Sequence, residues 1–149
     1  MIAENDGQTM LCDRFCRCFS DVPFFMRPLV DILIVEDDEQ THGALMRLVT
    51  RMGHKPRGAR CARDARDALL YQAPQVLITD WDLGEDQSGV DIADLALELR
   101  GSCKVVFWSG NDMPQLKRDS RHLDVTAYIS KPSSLANLRS ELSQVLPVA

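Results

Sequence analysis

Four short apolar runs, each closing on polar residues, constrain this chain more than anything else in it. Ile32-Leu33-Ile34-Val35 leads into Glu36-Asp37-Asp38, and Val76-Leu77-Ile78-Thr79 leads into Asp80. Val105-Val106-Phe107-Trp108 leads into Ser109-Gly110, and Ala127-Tyr128-Ile129-Ser130 leads into Lys131-Pro132. Runs this short, rich in Val and Ile and apolar at consecutive positions, fit strands that are covered on both faces. A further, poorer strand over 54–59 contains Pro56, which implies an edge position.

Helical patterns fill the intervals. Ala44, Leu45, Leu48, Val49 and Met52 make an amphipathic stripe that Gly53 ends. Cys61, Ala65, Ala68, Leu69 and Gln72 mark a second helix, with Arg63, Asp64, Arg66 and Asp67 turned to solvent. Ile92, Leu95, Ala96 and Leu99 give a third that stops near Gly101. A short polar helix begins at Pro114, a residue suited to a first turn. The last helix carries Leu135, Leu138, Leu142 and Val145 on one side, with Ser133 or Ser134 placed to cap it.

Strands alternating with helices in this way predict an α/β fold with a doubly wound, five-stranded parallel sheet. Short right-handed crossovers predict the order 2-1-3-4-5, which sets the first and third strands side by side. Ligands of such sheets bind in the crevice beyond the carboxyl ends of the strands. The carboxylates of Glu36, Asp37 and Asp80, the Ser109 hydroxyl and the Lys131 ammonium would therefore share one pocket. That set suits a divalent cation together with a phosphoryl group.

Composition narrows the function classes. The 149 residues allow one domain, and 45% hydrophobic with 26% charged residues is enough for a core. The net charge of −5 and the lack of any basic block argue against direct nucleic-acid binding. No apolar run approaches the roughly 20 residues of a membrane-spanning helix, and the acidic start Met1-Ile2-Ala3-Glu4-Asn5-Asp6 is unlike a signal peptide. Five cysteines in such a chain suit reduced thiols, so a cytoplasmic location is expected.

Residues 1–29 differ from the rest. They hold Cys12, Cys16 and Cys18 and four of the five phenylalanines, Phe15, Phe19, Phe24 and Phe25, without periodicity. A structural zinc takes four ligands in spaced pairs, and no partner pair follows. The expectation is a flexible leader, or an upstream-extended start with Met26 as an alternative first residue, ahead of a domain over 30–149.

Taken together, the runs and their polar ends resemble the receiver domain of two-component response regulators, over about residues 30–148. The resemblance rests on Leu33-Ile34-Val35-Glu36-Asp37-Asp38, Asp80-Trp81-Asp82-Leu83, Ser109-Gly110 and Tyr128-Ile129-Ser130-Lys131-Pro132. It implies a flavodoxin-like receiver fold and a phosphoacceptor that assists its own phosphorylation and dephosphorylation. Asp80 would be the acceptor. Glu36, Asp37, Asp80 and the Asp82 backbone carbonyl would hold Mg2+ (or Mn2+). Ser109 would be the switch hydroxyl, Tyr128 the rotating aromatic and Lys131 the phosphoryl-binding lysine. The implied partners are a sensor histidine kinase or histidine phosphotransfer protein and a downstream protein target, with a phosphorylation-dependent dimer as one form of output. Only Leu146-Pro147-Val148-Ala149 follow the last helix, so a stand-alone receiver acting through protein contacts is expected.

One stretch departs from the pattern. Leu83-Gly84-Glu85-Asp86-Gln87-Ser88-Gly89 replaces a Met-Pro step and is one residue longer, which unsettles the register between Asp82 and Gly89. Two rival readings follow from the same residues. Asp80-Trp81-Asp82-Leu83-Gly84 also resembles the first motif of haloacid-dehalogenase-type phosphatases, with Asp80 as nucleophile and Asp82 as general acid. There, however, the last acidic pair follows the lysine, whereas Glu36 and Asp37 precede it here. The other rival is a receiver that works without phosphorylation. His42, His54 and His122 share no spacing and read as surface residues, and Trp108 reads as core.

Overall fold

The computed structural model describes residues 29–84, 87–110, 112–131 and 134–146. Residues 1–28, the cysteine- and phenylalanine-rich stretch among them, lie outside it. Five strands, β1 (Asp31–Val35), β2 (Lys55–Ala59), β3 (Val76–Thr79), β4 (Lys104–Ser109) and β5 (Val125–Ser130), form one sheet in the order β2-β1-β3-β4-β5. All four pairings are parallel. Between and after them run α1 (Glu39–Arg51), α2 (Ala62–Tyr71), α3 (Gly89–Leu99), α4 (Met113–Asp119) and α5 (Leu135–Val145). This is the doubly wound α/β sheet, in the strand order, that the sequence predicts.

Strand side chains alternate between faces, and the two faces build two cores. Leu33, Val35, Leu77, Val105 and Phe107 pack with α2, α3 and Leu116 of α4. Ile32, Ile34, Ile78, Val106 and Trp108 pack with Leu45 and Val49 of α1 and Leu138 and Leu142 of α5. Burial on both sides explains why the central strands carry no polar alternation.

The helix ends follow their capping residues. Asp38 caps α1 by accepting from the Thr41 N–H at 2.8 Å, and Gly53, at φ 87°, follows that helix's C-cap. Asp112 accepts from the Gln115 N–H at 3.1 Å, so α4 begins at Met113 and Pro114 falls in the first turn. Of the two candidate caps for α5, Ser134 takes the role, accepting from the Asn137 N–H at 3.1 Å.

The edge strand β2 has little apolar side chain of its own. Arg57 fastens it, donating to both carboxylate oxygens of Asp31 on β1 at 2.8 and 3.0 Å and to the carbonyls of Ala68 and Gln72 at the end of α2.

The histidines correct the sequence reading, because only His122 is exposed. His54 is 6% exposed, and its N–H bonds back to the Val49 carbonyl at 3.3 Å, which tucks it under the end of α1. His42 lies half-buried against Gly58 of β2, in space that a Cβ at that glycine would fill. Burial lowers the pKa of both imidazoles, with Arg60 adding to the effect on His42.

Candidate functional site

The ladder continues just past the strands and fixes two acids. The Glu36 N–H donates to the Ala59 carbonyl at 3.1 Å, and the Asp80 N–H donates to the Val35 carbonyl at 3.0 Å. Glu36 thereby stands between β1 and β2 and Asp80 between β1 and β3, at the carboxyl edge of the sheet. Glu36 is 1% exposed, whereas Asp37 points to solvent. One carboxylate oxygen from each of Glu36, Asp37 and Asp80 lies within 4.8 Å of the others, so the three could hold one metal ion. Asp38 is engaged elsewhere, as the α1 cap.

Lys131 reaches this group from the end of β5. Its Nζ donates to Glu36 Oε2 at 2.7 Å and to Asp80 Oδ2 at 2.9 Å. The other Asp80 oxygen accepts from the Trp81 N–H at 2.6 Å, which fixes the plane of the carboxyl. Burial pushes the Glu36 carboxyl above the usual range, only partly offset by Lys131. Burial alone would lower Lys131, but its bonds to Glu36 and Asp80 outweigh that and hold it above the usual lysine value. These directions oppose each other, since one favours a neutral carboxyl and the other a charged ammonium. The ammonium governs, because it is shared with a second carboxylate.

Ser109 ends β4 and is 1% exposed. Thr79 pairs with Phe107, so Ser109 stands one residue farther along than Asp80. A register slip between Val105 and Val106 sets Ser109 opposite Ser130, and the Lys131 N–H donates to the Ser109 carbonyl at 2.9 Å. The hydroxyl-bearing and lysine-bearing ends are thus joined through the backbone.

Tyr128 is not among the carboxylates. Its ring stacks on Phe107 with centroids 5.8 Å apart, Lys117 Nζ lies 5.3 Å from its centroid, and its hydroxyl is 2.7 Å from Ser120 Oγ. Asp82 is exposed, and its carboxylate accepts from the Gly84 N–H at 3.0 Å. It is turned onto its own loop rather than toward Asp80, contrary to what the phosphatase reading requires of a general acid.

Several contributing residues carry no signal in the sequence. Thr79 Oγ1 donates to the Asp80 carbonyl at 2.8 Å. Arg60 Nη2 donates to the Asp37 carbonyl at 3.2 Å, with Nη1 3.7 Å from Glu39, and so steadies the acidic loop. Gly89 sits directly against the Asp80 backbone and donates to the Trp81 carbonyl at 2.7 Å.

The model of the response regulator receiver domain matches residues 32–143, three-quarters of the chain. The chain belongs to this family. Receiver domains of solved structure share its fold at low sequence identity. A CheY-like receiver domain protein from Methanospirillum hungatei superposes with a TM-score of 0.73 at 22% identity, covering 79% of this chain and 94% of that one. The chemotaxis protein CheY4 of Vibrio cholerae gives 0.72 at 16% identity, over 80% of this chain and all of that one. The BeF3-activated DrrB receiver domain gives 0.67 at 18% identity, over 78% and 97%. No curated protein matches the sequence significantly. This receiver domain of two-component signalling has no helix, among the described residues, long and apolar enough to cross a membrane.

Proposed function

We propose that this receiver takes a phosphoryl group onto Asp80 from the phosphohistidine of a sensor kinase or histidine phosphotransfer protein, and signals through protein contacts. The observation that carries the reading is Lys131 Nζ bonded at once to Glu36 and Asp80, beside a third carboxylate, at the carboxyl edge of a receiver sheet. A structural ion pair would need one acid. Three acids and one ammonium leave surplus negative charge at a site that runs from buried Glu36 to exposed Asp37, which suits a cation.

The donor set fits magnesium, a hard ion that takes oxygen ligands and keeps several waters. Glu36, Asp37 and Asp80, with the Asp82 carbonyl, would hold it. When bound, it supplies positive charge against the phosphoryl oxygens, and charge neutralisation with positioning is most of what phosphoryl transfer requires.

In the transfer, an Asp80 carboxylate oxygen forms a bond to phosphorus as the P–N bond of the phosphohistidine breaks. The bonding pair returns to the imidazole nitrogen of the donor. The Trp81 N–H holds the carboxyl in place, and Lys131 turns from Glu36 to a phosphoryl oxygen. Ser109 gives its hydroxyl to another phosphoryl oxygen, in a charge-assisted hydrogen bond. Its movement, followed by Tyr128, changes the face built from α4, β5 and α5, where a downstream protein would bind. That one similar receiver domain was activated with BeF3 is in line with this reading.

Intact-mass measurement after incubation with acetyl phosphate and Mg2+ tests it. The chain should gain one phosphoryl group, labile to hydroxylamine, and Asp80→Asn should fold and gain none. Uptake by Asp80→Asn, or none by the natural chain with metal present, refutes the assignment.

A further inference from the structure

One large side chain at the site carries a polar atom that packing does not explain. Trp108 is buried in the layer beneath α1 and α5, and its Nε1 has no hydrogen-bond partner among the described residues. An unpaired buried N–H is costly, and Leu, Met or Phe would fill an apolar position without it. What indole offers beyond these is the best aromatic face for a cation. That face is occupied, because Lys131 Nζ lies 4.9 Å from the ring centroid.

From this geometry we propose that Trp108 is a positioning residue, whose ring holds the Lys131 ammonium between Glu36 and Asp80 and keeps it there as it turns to a phosphoryl group. The proposal rests on the phosphoacceptor reading of Asp80. An ammonium has three N–H donors on a flexible four-carbon stem. Two donors go to carboxylates, and carboxylates alone would draw the ammonium wherever they lead. A ring face attracts the charge without offering a lone pair. It therefore confines Nζ laterally while leaving its N–H groups to choose between Glu36, Asp80 and an incoming oxygen.

Two measurements on the full chain decide the matter. In metal-free protein labelled with carbon-13 lysine, the ε-methylene protons of Lys131 should be shifted upfield by the indole ring current. Trp108→Leu should abolish that shift and Trp108→Phe should retain part of it. With acetyl phosphate and Mg2+, Trp108→Leu should slow uptake about tenfold at saturating donor, the rate equivalent of one partly desolvated cation–π contact. Trp108→Phe should stay within about threefold, since Phe keeps a weaker face. In a Lys131→Met background, Trp108→Leu should have no further effect, because the two act as one unit. No upfield shift in the natural chain overturns the proposal, and so does an equal slowing by Trp108→Leu with and without Lys131. A chain that shows the shift yet takes up no phosphoryl group removes the phosphoacceptor reading and the positioning role with it, while the ring contact stands.

Discussion

Gly89 and Gly43 should respond to the same substitution with opposite signs. At Gly89, the first residue of α3, a Cβ would fall onto the Asp80 carbonyl oxygen, 2.9 Å from its carbon and 3.0 Å from Thr79 Oγ1. Backbone cannot yield as a side-chain tip can, so α3 must retreat from the site. Retreat breaks the 2.7 Å bond from Gly89 to Trp81 and strains the 2.8 Å bond from Thr79 to Asp80. These are worth about 1 kcal/mol each, and overpacking around Val90 and Ile92 adds about 1–3 kcal/mol. Against this, alanine gains at most about 1 kcal/mol from helix propensity and lower unfolded-state entropy. The net expectation for Gly89→Ala is a loss of about 2–4 kcal/mol, a drop of roughly 6–15 °C in Tm for a domain of this size. Phosphoryl uptake should fall as well, because the displaced atoms are those of Asp80. In α1, a Cβ at Gly43 meets only the Arg47 guanidinium at 3.2 Å, which can swing away. Gly43→Ala should therefore gain about 0.5–1 kcal/mol. Thermal unfolding by circular dichroism measures both. A Gly89→Ala protein melting at or above the natural chain would refute the close approach of α3 to Asp80.

Ser120 is fully buried, donates to the Leu116 carbonyl at 2.7 Å and lies 2.7 Å from the Tyr128 hydroxyl. Ser120→Ala should cost about 1–2 kcal/mol in urea unfolding and speed the ring flips of Tyr128 seen by NMR; an unchanged ring would show that the bond does not restrain it. Burial depresses the pKa of His54 below the ordinary histidine value of about 6.5. The unfolded chain therefore binds the proton first, so stability contributed by this group is complete above pH ~6.5 and declines below it until the folded imidazole also titrates. His54→Gln should flatten the dependence of Tm on pH between 7 and 5, and an unaltered slope would remove His54 as its source. Asp37→Ala should leave metal-free stability unchanged or raised, because one of three clustered negative charges is removed. Mg2+ at about 100 times its dissociation constant should stabilise the natural chain by about 2.7 kcal/mol, and a similar rise in Tm for Asp37→Ala would exclude Asp37 as a ligand.

The sheet was legible because its strands are buried on both faces and so stand out as unbroken apolar runs. The carboxylate and lysine cluster was legible for a related reason, since polar residues directly after such runs have one destination, the carboxyl edge. What could not be read depends on contacts between positions far apart in the chain. The edge strand β2 is held by Arg57 on Asp31, a pair no local pattern marks. His54 and His42 are covered by a tight turn after α1 and by the bare backbone of Gly58, so a polar residue type misled about burial. The partnership of Ser120 with Tyr128 joins the C-cap of α4 to the middle of β5, and Ser120 has no sequence context that distinguishes it. Gly89 was visible only as the end of a loop of odd length. Its close approach to the Asp80 backbone has no local sequence mark.

The end of β4 ties these pieces into one device. Alternation sends Phe107 to the face of α2–α4 and Trp108 to the face of α1 and α5. Phe107 lies against the Tyr128 ring, Trp108 lies under the Lys131 ammonium, and Ser109 follows with its carbonyl bonded to the Lys131 N–H. Three consecutive residues therefore touch the aromatic, the cation and the backbone of the neighbouring strand end. On the proposed function, a phosphoryl group that draws in the Ser109 hydroxyl pulls on a peptide flanked by both rings, so Tyr128 and Lys131 need no separate signal. Moving this strand end breaks no helix, whereas α4 is only seven residues long and presents one buried side chain, Leu116. The helix is the weakly anchored part, and a bias of a few kcal/mol at the strand end is enough to shift its population. On that same reading the switch would be driven from β4, with α4 reporting it.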